Sequence, residues 1–400
     1  MSSAPERPLA GVCIVEISSF VAVPLAGMTL AALGAEVIRI DPIGGAADYR
    51  RWPLTDTGDS IYWAGLNKGK QSMAVNMRSD QGQRLIQRVI LDAGILITNV
   101  AGRQWHSHAA LSAHRPDLIH LEVVGRADGS TGVDYTVNAA TGFPMVTGPA
   151  GYDGPVNHVM PSWDVSCGLY AALSVLTALR HRDATGRGSA IRLPLDDVAL
   201  ATAANLGFLT EAMINGTSRP RLGNAIYGQY GRDFRTSDGA NFMVVALTAR
   251  HFRDLTDLTG TTEAVAAVAQ TLGADFDDEG QRYQHRDILD GLFAAWFARH
   301  TADQAEAALS VSSVLWERYR SFAEVAASPR VTANALFAPL DQPRIGPHLA
   351  PGLPMSVDGA HTPATVAPAL GEHTAAVLAQ RLGMSAAEIA KLIESATVAT

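Results

Sequence analysis

The sequence is poor in cysteine and in positive charge. Its 400 residues include two cysteines, Cys13 and Cys167, too few for a disulfide framework or a cysteine-based metal site. The net charge of −8 argues against nucleic acid as a partner, because contacts to a phosphate backbone need a basic face. The N-terminal run MSSAPERPLA has no apolar signal core, and no uncharged run reaches the length of a membrane span. These absences predict a cytoplasmic protein that binds neither nucleic acid nor membrane.

Several catalytic signatures are missing as well. The 12 histidines lack the spacing of a zinc site, so the sequence offers no set of metal ligands. No G-x-S-x-G elbow is present, which disfavours hydrolysis by a Ser-His-Asp triad. No G-x-G-x-x-G opens the first predicted helix, so a nicotinamide or flavin site is not supported. The sequence therefore predicts neither a metal site nor a bound redox cofactor.

The chain has enough apolar sequence for a large core, since 47% of its residues are hydrophobic, and its length suits two domains. Residues 11–17, a helix opened by Pro24 and residues 36–40 form a strand-helix-strand pattern, and the alternation continues to about residue 124. Such alternation predicts an α/β fold with a parallel sheet. The Gly- and Pro-rich residues 125–162 read as a long loop. A change of composition after residue 215 predicts a boundary, and the Pro-rich residues 338–368 look like an extended return segment.

The run HVMPSWDVSCGL, residues 158–169, contains the strongest candidate for chemistry. Asp164 follows Pro161 and Ser162 at the predicted start of a long apolar helix, residues 163–181. Exposed amides and the helix dipole favour an ionised carboxylate at such a position. Two interpretations stay open at this point. Asp164 is either a plain N-terminal charge or a carboxylate nucleophile at the mouth of a buried helix.

Cationic residues recur near the predicted strand ends. Arg39 ends the second strand, the turn Asn67-Lys68-Gly69-Lys70 is basic, and Arg103 and Arg126 each follow a later strand. Ligands of open α/β sheets bind at the carboxyl ends of the strands, so this set suits a polyphosphate ligand. The alternative is scattered surface charge.

Longer segments of the chain carry a family resemblance. They include GVCIVEISSFVAVPLAGMTLAALGAEVIRIDPIGG, NKGKQSMAVNM, PSWDVSCGLYAALSVLTALRHRDATGRG, GNAIYGQYGRDFRTSDG and LGEHTAAVLAQRLGMSAAEIAKL, in this order along nearly the whole chain. In these segments the chain resembles the family III CoA-transferases.

The resemblance implies an architecture. It comprises a Rossmann-like large CoA-binding domain made from residues 1–215 and from a return segment, residues 331–400, with a small α+β domain at residues 216–330. The resemblance also implies an interlaced homodimer. The family nucleophile matches Asp164, and the family's CoA contacts match these positions: Val21, Ala22, Arg39, Asn67, Lys68, Lys70, Asn99, Arg103 and Arg126.

The segments IDPIGGAADYRRWP, VGRADGSTGVDYTVNAATGFPMVTGP and VNHVMPSWD resemble a subgroup that moves CoA between the two carboxyl groups of one methylfumaryl unit. That reaction implies an acyl-CoA substrate, an aspartyl-CoA intermediate and no separate cofactor, because CoA enters as part of the substrate. The alternatives are intermolecular CoA transfer and, less favoured, an α-methylacyl-CoA racemase, whose His-Asp pair is replaced here by Val133-Asp134. The candidates to hold the free carboxylate are Arg126, His158 and Arg232.

Overall fold

The computed structural model describes residues 7–100 and 102–400. Within these residues the strands are β1 Cys13–Ile17, β2 Glu36–Pro42, β3 Gln71–Val75, β4 Ile95–Thr98, β5 Ile119–Val124, β6 Ser189–Pro194, β7 Tyr230–Arg235, β8 Asn241–Ala246, β9 Leu315–Arg318, β10 Phe337–Gln342, β11 Gly346–Pro351, β12 Ser356–Val357, β13 Ala360–His361 and β14 Val398–Ala399.

The helices are α1 Ala22–Ala32, α2 Ile61–Leu66, α3 Asp80–Ala93, α4 His108–Ser112, α5 Asp134–Ala140, α6 Phe143–Val146, α7 Ser162–Thr185, α8 Leu195–Asn205, α9 Phe208–Asn215, α10 Ala249–Thr259, α11 Thr262–Leu272, α12 Glu279–Gln284, α13 Arg286–Phe297, α14 Ala302–Ser310, α15 Phe322–Ala327, α16 Pro329–Thr332, α17 Thr374–Leu382 and α18 Ala386–Glu394. Short 3-10 turns cover Ala47–Arg50 and Gln104–His106.

A seven-stranded sheet with the order β14-β3-β2-β1-β4-β5-β6 forms the centre of the large unit. All neighbouring strands run parallel except β14, which pairs antiparallel with β3. Helices flank a parallel sheet on both faces, so its inner strands are apolar runs rather than alternating patterns. The fully buried strands β1 (CIVEI) and β4 (ILIT) fit that rule. The predicted α/β fold with a large parallel sheet is confirmed.

Both ends of the chain build this sheet. Val398 of β14 lies opposite Val75 of β3. The backbone N–H of Ala74 donates to the hydroxyl of Thr374, 3.1 Å away, at the start of α17. Val377, Leu378, Ile389 and Leu392 of α17 and α18 join the hydrophobic core under β3 and α3. The C-terminal segment is therefore part of the large unit.

The second unit is built on the antiparallel sheet β7-β8-β9. Its core is aromatic: the rings of Phe234 and Phe297 stack at 4.7 Å, and Tyr230 meets Phe293 edge to face at 5.6 Å. This unit comprises Asn215–Ala327 together with Gly142–Asn157. The latter segment differs from the predicted boundaries, which assigned it to residues 1–215.

Arg221 gives the physical reason for that difference. Its guanidinium donates to the carbonyl oxygens of Pro144, Met145, Tyr152 and Gly154, at distances of 2.6–3.2 Å. The backbone N–H of Gly223 also donates to the Gly148 carbonyl oxygen, 2.9 Å away. These contacts hold the segment 142–157 to the second unit, and no periodic pattern in the sequence predicts them.

The helix α7 brings the candidate nucleophile to the large unit. It runs four residues beyond the predicted end, because Gly186 adopts the left-handed conformation, φ +71°, that terminates helices. By length and composition this helix passes the test for a membrane span. A core helix passes the same test, and α7 buries Cys167, Ala171 and Val175 within the large unit. Helix α5, starting at Asp134, lies inside the region predicted as loop.

Candidate active site

A cavity of about 1080 Å³ lies in the large unit where β1, β4 and β5 end. Ser19 follows β1, Asn99 follows β4 and Gly125 follows β5, and all three line it. Polar loop residues at the carboxyl edge of a parallel sheet form the usual ligand site of open α/β folds. Asp164 lines the same cavity, and so do the loop residues 129–135.

Asp164 is the third residue of α7, and its surroundings are unusual for a carboxylate. The buried side chain of Asp134 caps the helix: its Oδ2 accepts the backbone N–H groups of Trp163, at 2.8 Å, and of Asp164, at 3.0 Å. Burial and the neighbouring Asp134 carboxylate raise the pKa of Asp164 to about 6, against an opposing effect of Arg51. Near neutral pH Asp164 is therefore ionised yet weakly solvated, which is the state in which a carboxylate attacks an acyl carbon.

The other carboxylate oxygen of Asp134, Oδ1, pairs with a histidine. Nε2 of His158 lies 2.5 Å from Asp134 Oδ1. The hydroxyl of Tyr135 donates to the carbonyl oxygen of Val159, 3.1 Å away, and so ties the His158 segment to α5. The sequence argument against a racemase was that Val133, not His, precedes Asp134. In the structure Asp134 does contact a histidine, His158, which lies 24 positions later in the chain. The absence of a histidine at position 133 is therefore no longer an argument against a racemase.

Four predicted CoA contacts reach the cavity. Val21, Ala22, Asn99 and Arg103 line it together with Asp164. Asn99 clamps the loop after β1, because its Oδ1 accepts the N–H of Ser19 at 3.0 Å and its Nδ2 donates to the Ser19 carbonyl at 2.8 Å. The structure thus gathers these residues at one sheet edge, while their contact with CoA stays a prediction.

Three other predicted contacts are instead buried inside the protein. Arg39 is 0% exposed and pairs with Asp41, at 2.9 Å, and with Asp48, at 3.0 Å. Lys70 donates to Glu16 at 2.9 Å and to Asn67 Oδ1 at 2.8 Å. Burial lowers the pKa of Lys70 to about 8, despite the opposing effect of Glu16. Arg39, Asn67 and Lys70 thus form a buried polar network under the loops and are not among the residues that line the cavity, while their contact with CoA stays a prediction.

Lys68 and Arg126, the remaining predicted CoA contacts, and Arg232, a candidate for the free carboxylate, all bind protein oxygens. Lys68 Nζ donates to the carbonyl oxygen of Gly65 at 2.5 Å. Arg126 Nη1 donates to the carbonyl oxygen of Thr131 at 2.9 Å and so shapes the cavity loop. Arg232 lies in the second unit, where it pairs with Asp290 at 2.5 Å. Of the three candidates for the free carboxylate, Arg126 and Arg232 are thus engaged with the protein, and His158 is held by Asp134.

Arg51 and Phe20 are among the cavity residues that sequence reasoning missed. Arg51 lines the cavity close enough to Asp164 to affect that carboxyl, and the guanidinium carbon lies 5.2 Å from the ring centroid of Phe20. Phe20 has φ +67°, a left-handed conformation that costs a non-glycine residue about 1–3 kcal/mol. Both residues stand in segments that carried the family resemblance, but neither follows a periodic pattern. Among residues 7–100 and 102–400, no three His, Cys, Asp or Glu side chains cluster as metal ligands.

The comparisons with known proteins agree with this geometry. The profile of CoA-transferase family III matches residues 9–374, and the chain belongs to this family. It is 45% identical over 399 residues to the 2-methylfumaryl-CoA isomerase of Chloroflexus aurantiacus, with 98% of each chain covered. The succinyl-CoA–D-citramalate CoA-transferase of that organism is 27% identical over 418 residues, again with 98% of each covered. The crystal structure of a CAIB/BAIF family protein from Brucella suis superposes with a TM-score of 0.76 at 26% identity, covering 93% of this chain and 99% of that one.

Proposed function

We propose that this protein is a 2-methylfumaryl-CoA isomerase, which moves CoA from the C1 to the C4 carboxyl group of methylfumarate (mesaconate). The observation that carries the proposal is the 45% identity to the Chloroflexus isomerase over nearly all of both chains. The enclosed carboxylate of Asp164 at the cavity supports it, because CoA exchange between carboxyl groups needs a carboxylate nucleophile. CoA enters as part of the substrate, and the chemistry calls for no further cofactor.

The reaction divides into four acyl exchanges. An oxygen of Asp164 attacks the thioester carbonyl, the C–S bond breaks, and CoA thiolate leaves a mixed anhydride. The thiolate attacks the Asp164 acyl carbon and expels the free dicarboxylate, which leaves an aspartyl-CoA thioester. The dicarboxylate turns, its other carboxylate attacks that thioester, and the thiolate then attacks the new anhydride on the substrate side. Asp164 is regenerated, and no net proton or electron is consumed.

The cavity supplies two aids to these steps. Retaining the dicarboxylate makes the second half of the reaction intramolecular, which gives a high effective molarity. The loop after β5 provides backbone amides as candidate oxyanion donors, because residues 129–132 line the cavity. This loop requires glycine: a Cβ on Gly125 would lie 2.3 Å from the backbone nitrogen of Gly132.

We propose a homodimer, as the family resemblance implies. Three large apolar side chains of α7 are about half exposed: Leu169 at 52%, Tyr170 at 51% and Leu173 at 53%. Apolar groups in one patch on a monomer usually mark an interface, and a second copy would cover them. Light scattering at micromolar concentration should give twice the chain mass, and a monomer there would refute the dimer. Cytoplasmic location stays a prediction.

The proposed activity is tested with one substrate. Incubation with 2-methylfumaryl-CoA alone should yield its 3-methyl isomer, and Asp164→Ala should reduce the rate at least about 10³-fold. Labelled free mesaconate, added in excess, should barely enter the thioester pool. Rapid entry of label would indicate an intermolecular CoA-transferase. Deuterium entering the α-carbon of a 2-methylacyl-CoA from solvent would indicate a racemase. This reaction is tested because the structure contains a His158–Asp134 pair.

A further inference from the structure

The cavity holds a cation that the protein leaves without an acidic partner. Arg51 is exposed, and among the described residues no carboxylate lies within ion-pair distance of it and its guanidinium donates no hydrogen bond. Arg39, twelve positions earlier, shows the contrast, since two aspartates and a glutamate surround its guanidinium. An unpaired guanidinium beside a nucleophile is an open site for a planar anion.

Aromatic rings hold this guanidinium in place. Its carbon lies 5.2 Å from the ring centroid of Phe20 and 5.0 Å from that of Tyr62, within the range of cation–π attraction. The backbone is held as well: the N–H of Arg51 donates to the Asp48 carbonyl at 3.2 Å, and the Arg51 carbonyl accepts the hydroxyl of Ser60 at 2.6 Å. Ser60 also caps α2, the helix that carries Tyr62. The side chain is thus pre-positioned by packing rather than by a counter-ion.

Tyr62, whose ring holds the Arg51 guanidinium, does not itself line the cavity. Its hydroxyl is buried and has no hydrogen-bond partner among the described residues. Burial raises the pKa of Tyr62 to about 12, although Arg51 opposes the rise, so the phenol keeps its proton at neutral pH. Arg51 and Asp164 are both close enough to Tyr62 to affect it electrostatically.

We propose that Arg51, its guanidinium held against the ring of Tyr62, forms the subsite that binds the free carboxylate of the acyl group, the one not esterified to CoA. The assignment rests on the proposed function, because that substrate carries one free carboxylate a few bonds from its thioester carbon. The thioester must reach Asp164, so the free carboxylate lies beside it and needs a neutralising partner there. Arg51 lines the same cavity as Asp164 and acts on its carboxyl electrostatically, whereas Arg103, which also lines the cavity, is not among the charges that act on it. The guanidinium groups of Arg126, Arg192 and Arg232 are bound to protein oxygens.

The same subsite accounts for retention. When Asp164 takes the CoA, the released acid carries two carboxylates, and Arg51 holds one while the other turns to the aspartyl thioester. Replacing Arg51 should therefore let free acid escape, so that added labelled mesaconate enters the thioester pool faster than in the wild type.

The direct test compares two ligands of nearly equal shape. In an Asp164→Ala background, which prevents turnover, the dissociation constants of 2-methylfumaryl-CoA and of 2-methyl-2-butenoyl-CoA are measured by calorimetry. The second ligand has a methyl group where the first has its free carboxylate. The expected result is at least about tenfold tighter binding of the carboxylate ligand, since hydrogen bonds to charged groups are the strong ones.

Variants then locate the discrimination. Arg51→Gln should weaken binding of 2-methylfumaryl-CoA about 10–100-fold and leave the butenoyl ester within twofold. Tyr62→Phe keeps the ring beside the guanidinium and should leave the binding of both ligands within about twofold, whereas Arg51→Lys should restore part of the loss. Arg50→Gln is the matched control, because it removes the same charge from an exposed position outside the cavity.

Two outcomes overturn the assignment. One is equal weakening of both ligands by Arg51→Gln, which would give Arg51 a structural or CoA-binding role. The other is the absence of any preference for the carboxylate ligand before Arg51 is changed. These are binding measurements, so they are read independently of isomer formation. If the wild type makes no isomer but still prefers carboxylate-bearing acyl groups through Arg51, the proposed reaction fails and the subsite stands.

Discussion

Replacing Asp164, the proposed nucleophile, should stabilise the protein, and the effect should depend on pH. The pKa of Asp164 is raised from its ordinary value of 3.8 to about 6, first by burial and then by Asp134. The folded state thus binds this proton more tightly than the unfolded state does. Stability is therefore highest while Asp164 is protonated and falls as the pH rises from about 4 to about 6.

The magnitude follows from the shift. About two pKa units at 1.36 kcal/mol each give roughly 3 kcal/mol of destabilisation above pH 7 and less than about 1 kcal/mol at pH 4. Asp164→Asn removes the charge and keeps the shape. With an unfolding entropy of about 2.1 cal/mol/K per residue over the chain, 3 kcal/mol raises the melting temperature by roughly 3–4 °C.

Differential scanning fluorimetry of both proteins from pH 4 to pH 8 measures this. The stabilisation should grow as the pH rises from about 4 to about 6 and stay constant above that. Asp197→Asn is the control: this exposed carboxylate in the first turn of α8 should cost up to about 1 kcal/mol when removed, by loss of its interaction with the helix dipole. A lower melting temperature for Asp164→Asn at pH 7.5, or a pH-independent shift, would refute the electrostatic account of the site.

Three further outcomes are expected. The kcat/KM should rise with pH and level off above an apparent pKa near 6, because only ionised Asp164 attacks; a flat profile from pH 5 to 8 would contradict this. Asp134→Asn should move that midpoint to lower pH, because it removes a like charge beside Asp164. It should also cost about 0.5–2 kcal/mol of stability, because it weakens the cap of α7. An unmoved midpoint would show that Asp134 does not affect the pKa of Asp164. Arg39→Met should destabilise the fold by about 3–5 kcal/mol, because it leaves buried aspartates unpaired. The KM for the CoA ester, measured on the folded fraction, should change little. A raised KM with unchanged stability would instead support Arg39 as a CoA contact.

The fold was predictable wherever periodic patterns determine structure. Largely apolar runs such as 13–17 and 95–98 identify strands buried on both faces, and the strand-helix alternation identifies the parallel sheet. The segment 142–157 was not assignable in this way. Its place depends on Arg221, a distant side chain whose carbonyl partners lie 67–77 positions away.

In the site, too, some residues could be identified from sequence and others could not. Asp164 was identifiable because a helix start and a family motif coincide there. The sequence offered no pattern that tells apart the roles of Arg39, which lies within β2, and Arg51, which follows that strand by nine residues. The difference lies in three dimensions: Arg39 is enclosed by aspartates, whereas Arg51 is exposed to the cavity. His158 likewise meets Asp134 only because the chain returns to α5 through contacts such as that of Tyr135 with Val159.

A crossover experiment tests the central claim most directly. 2-Methylfumaryl-CoA labelled with ¹³C in the acyl group and with ¹⁵N in the CoA is mixed with an equal amount of unlabelled ester. The 3-methyl isomer is then separated and its mass measured. Intramolecular transfer predicts that the product contains only doubly labelled and unlabelled species, because acid and CoA stay in the cavity throughout. Singly labelled products at their statistical share, or no isomer at all, would contradict the account.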